Sequence, residues 1–246
     1  MHLILTGATG TIGNGVLKQC LASPKVTRLS VLSRKDFSLP QGDDLDTTKA
    51  EVIVHTNYTD YPPALLNKLK GSDGCIWAQG ISQTQVPKSE YVRITYDYPL
   101  AAAKAFASLS TSGNFKFVHV SGEGADPTEK TFALFGKIKG RAEKALLSLP
   151  SQQTYSPLRV FNARPGAVLP REHHRPRSLG LKFLDVTLMP VIKVLAPSLT
   201  ISTDALASVL VDLASGNGEP LSGDDIEAEG RTLRNTAIRR LAGLKS

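Results

Sequence analysis

The residues best suited to chemistry open the chain: Thr6-Gly7-Ala8-Thr9-Gly10-Thr11-Ile12-Gly13 directly follows the apolar run Leu3-Ile4-Leu5. At this spacing Gly7 permits a tight turn, Gly10 lets the backbone approach a ligand, and Gly13 lets the following helix pack closely on the strand. Amide groups at the helix start then face an anion, which points to the diphosphate of a dinucleotide, with Thr9, Thr11 and Ile12 beside it. The second apolar run, Leu29-Ser30-Val31-Leu32, ends in Ser33, Arg34 and Lys35, where a site for an unphosphorylated ribose usually presents a carboxylate. Arg34 and Lys35 favour the 2′-phosphate of NADP(H), the planar Arg34 fork being the better partner, while Asp36 keeps NAD(H) as the alternative.

The elements that must hold such a site alternate along the chain. Strands are predicted near residues 2–6, 28–33, 51–55, 74–78, 115–121 and 158–163, with helices near 11–22, 61–69, 92–108 and 131–148. This βαβ rhythm predicts a doubly wound, mainly parallel α/β sheet of Rossmann type with helices on both faces. Pro24 stops the first helix, and Ser121 ends a strand where ligands of open α/β sheets gather. Residues 1–246 are expected to form one domain, with a dinucleotide-binding core over 1–150 and a small, mostly helical substrate-side cap over 164–246.

A hydrophobic share of 41% and a charged share of 21% are those of an ordinary globular chain. The net charge of +7 is scattered apart from 171–177 and 231–245, and no interleaved aromatic platform accompanies it, so it fits a phosphorylated cofactor better than nucleic acid. Cys20 and Cys75 are too few for a disulfide framework, and neither has neighbours at metal-ligand spacing, so both are expected in the core and no metal is expected. The apolar region Leu179–Leu199 is broken by Lys182, Asp185, Pro190 and Lys193, which argues for a packed helix rather than a membrane span. A chain that starts directly on a strand has no room for a leader, so a reducing, cytoplasmic setting is expected. The expected partner is a small-molecule substrate, and a homodimer or a protein partner is left open.

The opening segment resembles the nucleotide fingerprint of the short-chain dehydrogenase/reductase superfamily, in its extended and atypical branches. Asn57-Tyr58-Thr59-Asp60 resembles that family's adenine-side segment, and Trp77-Ala78-Gln79-Gly80 the segment lining ribose and nicotinamide. Ser121-Gly122, Lys139-Gly140-Arg141-Ala142-Glu143 and Arg164-Pro165-Gly166 are similar to the atypical group containing the Tat-interacting oxidoreductase-like proteins. Coverage runs from about residue 2 to 215. The resemblance implies a cofactor site that includes Asn57, Tyr58, Ala78, Gln79, Gly80, Lys139, Pro165 and Gly166, and an NAD(P)-dependent oxidoreductase acting on a small carbonyl or alcohol. It also implies that Ser121 orients the substrate oxygen and that Lys139 holds the ribose and tunes proton transfer. The family's tyrosine, four residues before that lysine, is here Phe135, which has no proton to exchange.

Three readings of Phe135 stay open: redox chemistry with Lys139 or water as the acid, a non-redox reaction in the same pocket, or NADP(H)-dependent regulation of protein contacts. Tyr91, Tyr96 or Tyr98 could supply a substitute phenol, or simply pack. His119 could act as a base, or be a satisfied core histidine, and His173 and His174 could line a substrate entrance or a solvated loop.

Overall fold

A computed structural model describes residues 1–169 and 197–244. Arg171–Arg177, His173, His174 and the bulk of the apolar region Leu179–Leu199 lie outside the described residues.

The predicted strands are β1 (His2–Thr6), β2 (Arg28–Ser33), β3 (Ala50–Val54), β4 (Gly74–Trp77), β5 (Phe115–Val120) and β6 (Leu158–Ala163). The late chain adds β7 (Ala167–Leu169), β8 (Thr200–Ser202), β9 (Ile226–Glu227) and β10 (Thr232–Leu233). Eight of these form one sheet in the order β3-β2-β1-β4-β5-β6-β10-β9, parallel except for the β9 edge, while β7 and β8 pair separately. Strand order reverses between β1 and β4. A crevice therefore opens there at the carboxyl ends, because the chain leaves the two strands toward opposite faces.

All five residues of β1 are buried, as a central strand covered on both sides requires. Leu3 and Leu5 pack with α1 (Thr11–Ala22) on one face, whereas Ile4 packs on the other face. That second face carries α2 (Pro63–Leu69), α3 (Lys88–Val92), α4 (Tyr98–Phe106) and α5 (Leu134–Ser148). Cys20 and Cys75 are both free and fully buried, one in each core layer, and burial pushes the Cys20 thiol up to about 12.

The helix predicted over 92–108 starts earlier and is interrupted by a π turn at Arg93–Asp97 between α3 and α4. Pro99 supplies the reason. In a regular helix its ring would press on the carbonyl of Thr95, and the wider turn, closed by the Tyr98 amide on the Arg93 carbonyl, relieves that contact.

Within the segment expected as a cap, the described residues from 200 onward include parts of the layered body. Helix α6 (Thr203–Ser215) lies against α1, burying Leu206, Leu210 and Ala214 in the same core, and β10 extends the sheet beside β6. Helix α7 (Asn235–Leu241) packs against α6. Apolar residues on more than one side of α6 suit this buried placement.

Candidate active site

Two adjoining grooves run along the carboxyl ends of the strands and share Gly10, Ala78, Gln79 and Gly80. The first, about 750 Å³, lies over the glycine turn and the end of β2. The second, about 470 Å³, lies between the loop after β4, the end of β5 and the start of α5.

Backbone geometry builds the first groove. Gly7 has φ +73°, and a Cβ there would come within 2.5 Å of the Ala78 carbonyl oxygen. A Cβ on Gly13 would collide with the Gly7 carbonyl, so turn and helix can approach this closely only as glycines. Gly10 caps α1 without a side-chain acceptor, and the first turn contains no acidic residue. The first helical amides, on Thr11, Ile12 and Gly13, thus have no intrahelical acceptor and suit an anion. Thr9 lines this groove, while Thr11 and Ile12 line its neighbour.

At the far end, Ser33, Arg34 and Lys35 all line the groove, and Asp36 turns its carboxylate back to the Phe37 amide at 2.9 Å. Tyr58 forms a buried wall, its hydroxyl donating to the Leu32 carbonyl at 3.2 Å and its ring edge-on to Trp77. Asn57 does not line the groove: its carboxamide oxygen accepts the Thr59 amide and hydroxyl at 3.2 and 2.6 Å, a local turn. Gln79, on the shared wall, has a buried side-chain oxygen with no partner among the described residues.

Side chains build the second groove. Ser121 continues the β5 ladder through its amide to the Ala163 carbonyl at 2.8 Å, and its buried hydroxyl has no partner among the described residues. Lys139, on the second turn of α5, donates to the Ser121 carbonyl at 2.8 Å and the Val120 carbonyl at 3.4 Å. Burial lowers the Lys139 ammonium to about 8, with Glu143 pulling the other way. Phe135 lies one helical turn before Lys139, whose Nζ stands 5.5 Å from its ring centroid. Ser121, Phe135 and Lys139, widely separated in sequence, thus meet at one groove.

The loop after β4 and the π turn complete the wall in ways that sequence reasoning missed. Gln83 accepts the Phe135 amide at 2.8 Å and so caps α5 from across the groove, where the helix's own N-cap, Ala133, offers no acceptor. Thr95 lines the same space from the π turn. Neither carries a periodic signal, since one sits in an irregular loop and the other on a locally rewound helix.

Pro165 and Gly166 line neither groove. The Pro165 carbonyl accepts the Glu123 amide at 3.0 Å, and the Gly166 amide donates to Asn235 Oδ1 at 2.8 Å, which ties the turn after β6 to α7. Arg164 reaches back to α5, where Nε and Nη2 grip the buried Glu143 at 2.9 and 2.6 Å, while Nη1 meets Glu227 at 2.8 Å. Those carboxylates hold the guanidinium above its ordinary value against the opposing effect of burial. The sequence signal for this pair was a charge on the apolar face of α5, one turn beyond Lys139.

Of the candidate tyrosines, Tyr91 is buried with its phenol pushed up by burial, and Tyr96 and Tyr98 line neither groove. His119 does line the second groove, with Nδ1 3.0 Å from Asn162 Oδ1.

Solved structures share this architecture. A short-chain type dehydrogenase/reductase from Mycobacterium ulcerans superimposes with a TM-score of 0.65 over 96% of this chain and 89% of that one, at 16% identity. The chain has the short-chain dehydrogenase/reductase fold. Among curated proteins it is similar to leucinostatins biosynthesis cluster protein T of Purpureocillium lilacinum, at 29% identity over 97% of this chain and 94% of that protein. It is also similar to protein fmp52, mitochondrial, of Emericella nidulans, at 27% identity over 91% and 92%. No known family profile matches the chain. Among the described residues no helix is long and apolar enough to cross a membrane.

Proposed function

We propose that this protein is an NADP(H)-dependent oxidoreductase acting on a small carbonyl or alcohol, with Phe135 standing at the position of the family's catalytic tyrosine. The observation that carries the reading is the convergence of the unpartnered Ser121 hydroxyl and the Lys139 ammonium on a groove continuous with the glycine cradle. The residues fit the cofactor: the amides of α1 suit a diphosphate, the orphaned Gln79 oxygen suits a ribose hydroxyl, and Ser33, Arg34 and Lys35 suit a 2′-phosphate. When bound, the nicotinamide supplies or takes up the hydride.

The chain's own residues do the rest. The Ser121 hydroxyl donates to the substrate oxygen. The Lys139 ammonium, anchored by two strand-end carbonyls, keeps a third N–H for the groove and donates the proton to that oxygen, directly or through water, before being reprotonated from solvent. Glu143 and Arg164 hold α5 against β6, which fixes the height of Lys139 over the strand end.

The test is loss of NADPH absorbance on mixing the purified chain with a panel of small ketones and aldehydes. Because the charged form of Lys139 is the acid, reduction is expected to fall as pH rises through about 8, the value to which burial lowers it. A flat profile from pH 6 to 10 contradicts that role. Phe135 itself favours a second reading, an NADP(H)-binding regulator of protein contacts, since an arene on the lysine exchanges no proton. Tight NADPH binding with no turnover across the panel selects it. The proposed compartment is the cytoplasm, and the competing one is that in the name of the Emericella nidulans relative, so cell fractionation decides.

A further inference from the structure

We infer that His119 Nε2 accepts a hydrogen bond from the substrate, so that the site takes a carbonyl compound carrying a hydroxyl one or two carbons from the reacting carbon. The inference rests on the oxidoreductase reading and adds the class of substrate.

His119 sits two residues before Ser121 on β5, so both side chains leave the same face of the sheet, with roughly 6–7 Å between their Cα atoms. Both line the groove that holds Phe135 and Lys139. His119, Asn162 and Thr232 are register partners across β5, β6 and β10, and all three are buried. Their side chains form a row in which Asn162 Nδ2 donates to Thr232 Oγ1 at 3.4 Å and Asn162 Oδ1 faces His119 Nδ1 at 3.0 Å. With the amide so oriented, its oxygen accepts, so the imidazole proton is on Nδ1 and Nε2 carries only a lone pair. Burial and the nearby Lys139 charge hold the ring neutral, lowering its titration to about 3. A ring held in that state offers no proton to the reaction and is a poor base, but it is a sound acceptor.

The groove floor therefore presents two donors and one acceptor. Ser121 O–H and the third Lys139 N–H converge on a carbonyl oxygen, which has two lone pairs to receive them. Nε2 has no protein partner among the described residues, and a substrate that covers it without donating leaves a buried acceptor desolvated. A neighbouring hydroxyl supplies the donor. An ammonium is disfavoured there by the Lys139 charge, and a second carbonyl offers lone pair against lone pair.

The experiment compares butan-2-one with 3-hydroxybutan-2-one and 4-hydroxybutan-2-one, using the full chain. Reduction is followed with saturating NADPH, and binding to the NADP⁺-loaded protein is followed by calorimetry. At least one hydroxyketone is expected to exceed butan-2-one by about tenfold or more in kcat/KM and in affinity. His119→Leu is expected to bring both ratios within about twofold with NADPH affinity unchanged, while His119→Gln, which keeps an acceptor, retains the preference. Equal handling of plain and hydroxylated ketones by the unmodified protein overturns the inference and leaves the oxidoreductase reading standing, with no variant needed. A preference that survives in His119→Leu overturns it too. If NADPH binds but no ketone binds or reacts, the oxidoreductase reading falls and this inference with it.

Discussion

The two ends of the groove are built from different materials. The diphosphate end is made of main chain: a glycine with φ +73°, a helix start without a side-chain cap, and a carbonyl pressed against the turn. The opposite end is made of side chains drawn from two strands and a helix, among them Ser121, Lys139, His119 and Asn162, tied together below the surface. Main chain tolerates few substitutions and has a fixed shape. Side chains can be exchanged singly without disturbing the cradle beside them. The difference teaches that the two ends of one continuous crevice are free to vary independently.

The largest effect should come from the rigid end. Gly13→Val puts branched carbon into the Gly7 carbonyl, and NADPH affinity measured by fluorescence titration is expected to fall by about a hundredfold or more. A variant that binds normally would break the claim that main chain alone shapes this end. At the exchangeable end, Phe135→Tyr is expected to raise the reductase rate by about tenfold, with NADPH affinity unchanged. The para carbon of Phe135 lies 3.0 Å from where a Gly122 Cβ would stand, so the new hydroxyl emerges beside Gly122, and an unchanged rate would mean that the proton path does not pass that way. Arg34→Ala sharpens the first half of the comparison: NADPH should weaken by about tenfold and NADH hardly at all, whereas equal losses would show that Arg34 does not read the phosphate.

The smallest effect concerns stability. Burial lowers His2 to about 4 and His119 to about 3, from an ordinary 6.5. The unfolded chain therefore takes up these protons first, so stability is complete above about pH 6.5 and declines as pH falls toward 4 and 3. Each group contributes at most ~1.4 kcal/mol per pH unit over its window. Thermal melts across pH 7 to 4 should show the decline, and His119→Leu should make it shallower.

Legibility followed the same division. The six core strands were visible because apolar runs alternate with amphipathic stretches, and the glycine spacing located the cradle because backbone constraints leave a mark in residue type. The Ser121–Phe135–Lys139 meeting point was readable only through resemblance. The Gln83 cap, the Thr95 turn and the polar row under α5 were not readable, since each depends on which strands become neighbours. The two-residue strands β9 and β10 are too short for periodicity to register. Asn57, Pro165 and Gly166 have residue types that suit a binding turn, and among the described residues they make local and tertiary ties.

The grip of Arg164 on both Glu143 and Glu227 has a consequence for how much of the chain each groove depends on. The first groove draws all its lining residues from the first 80 positions, whereas the helix of the second is locked by Glu227 and the turn beyond Arg164 is pinned by Asn235. A chain cut before Asn235 thus loses the tie on the second groove's side while keeping every residue that lines the first.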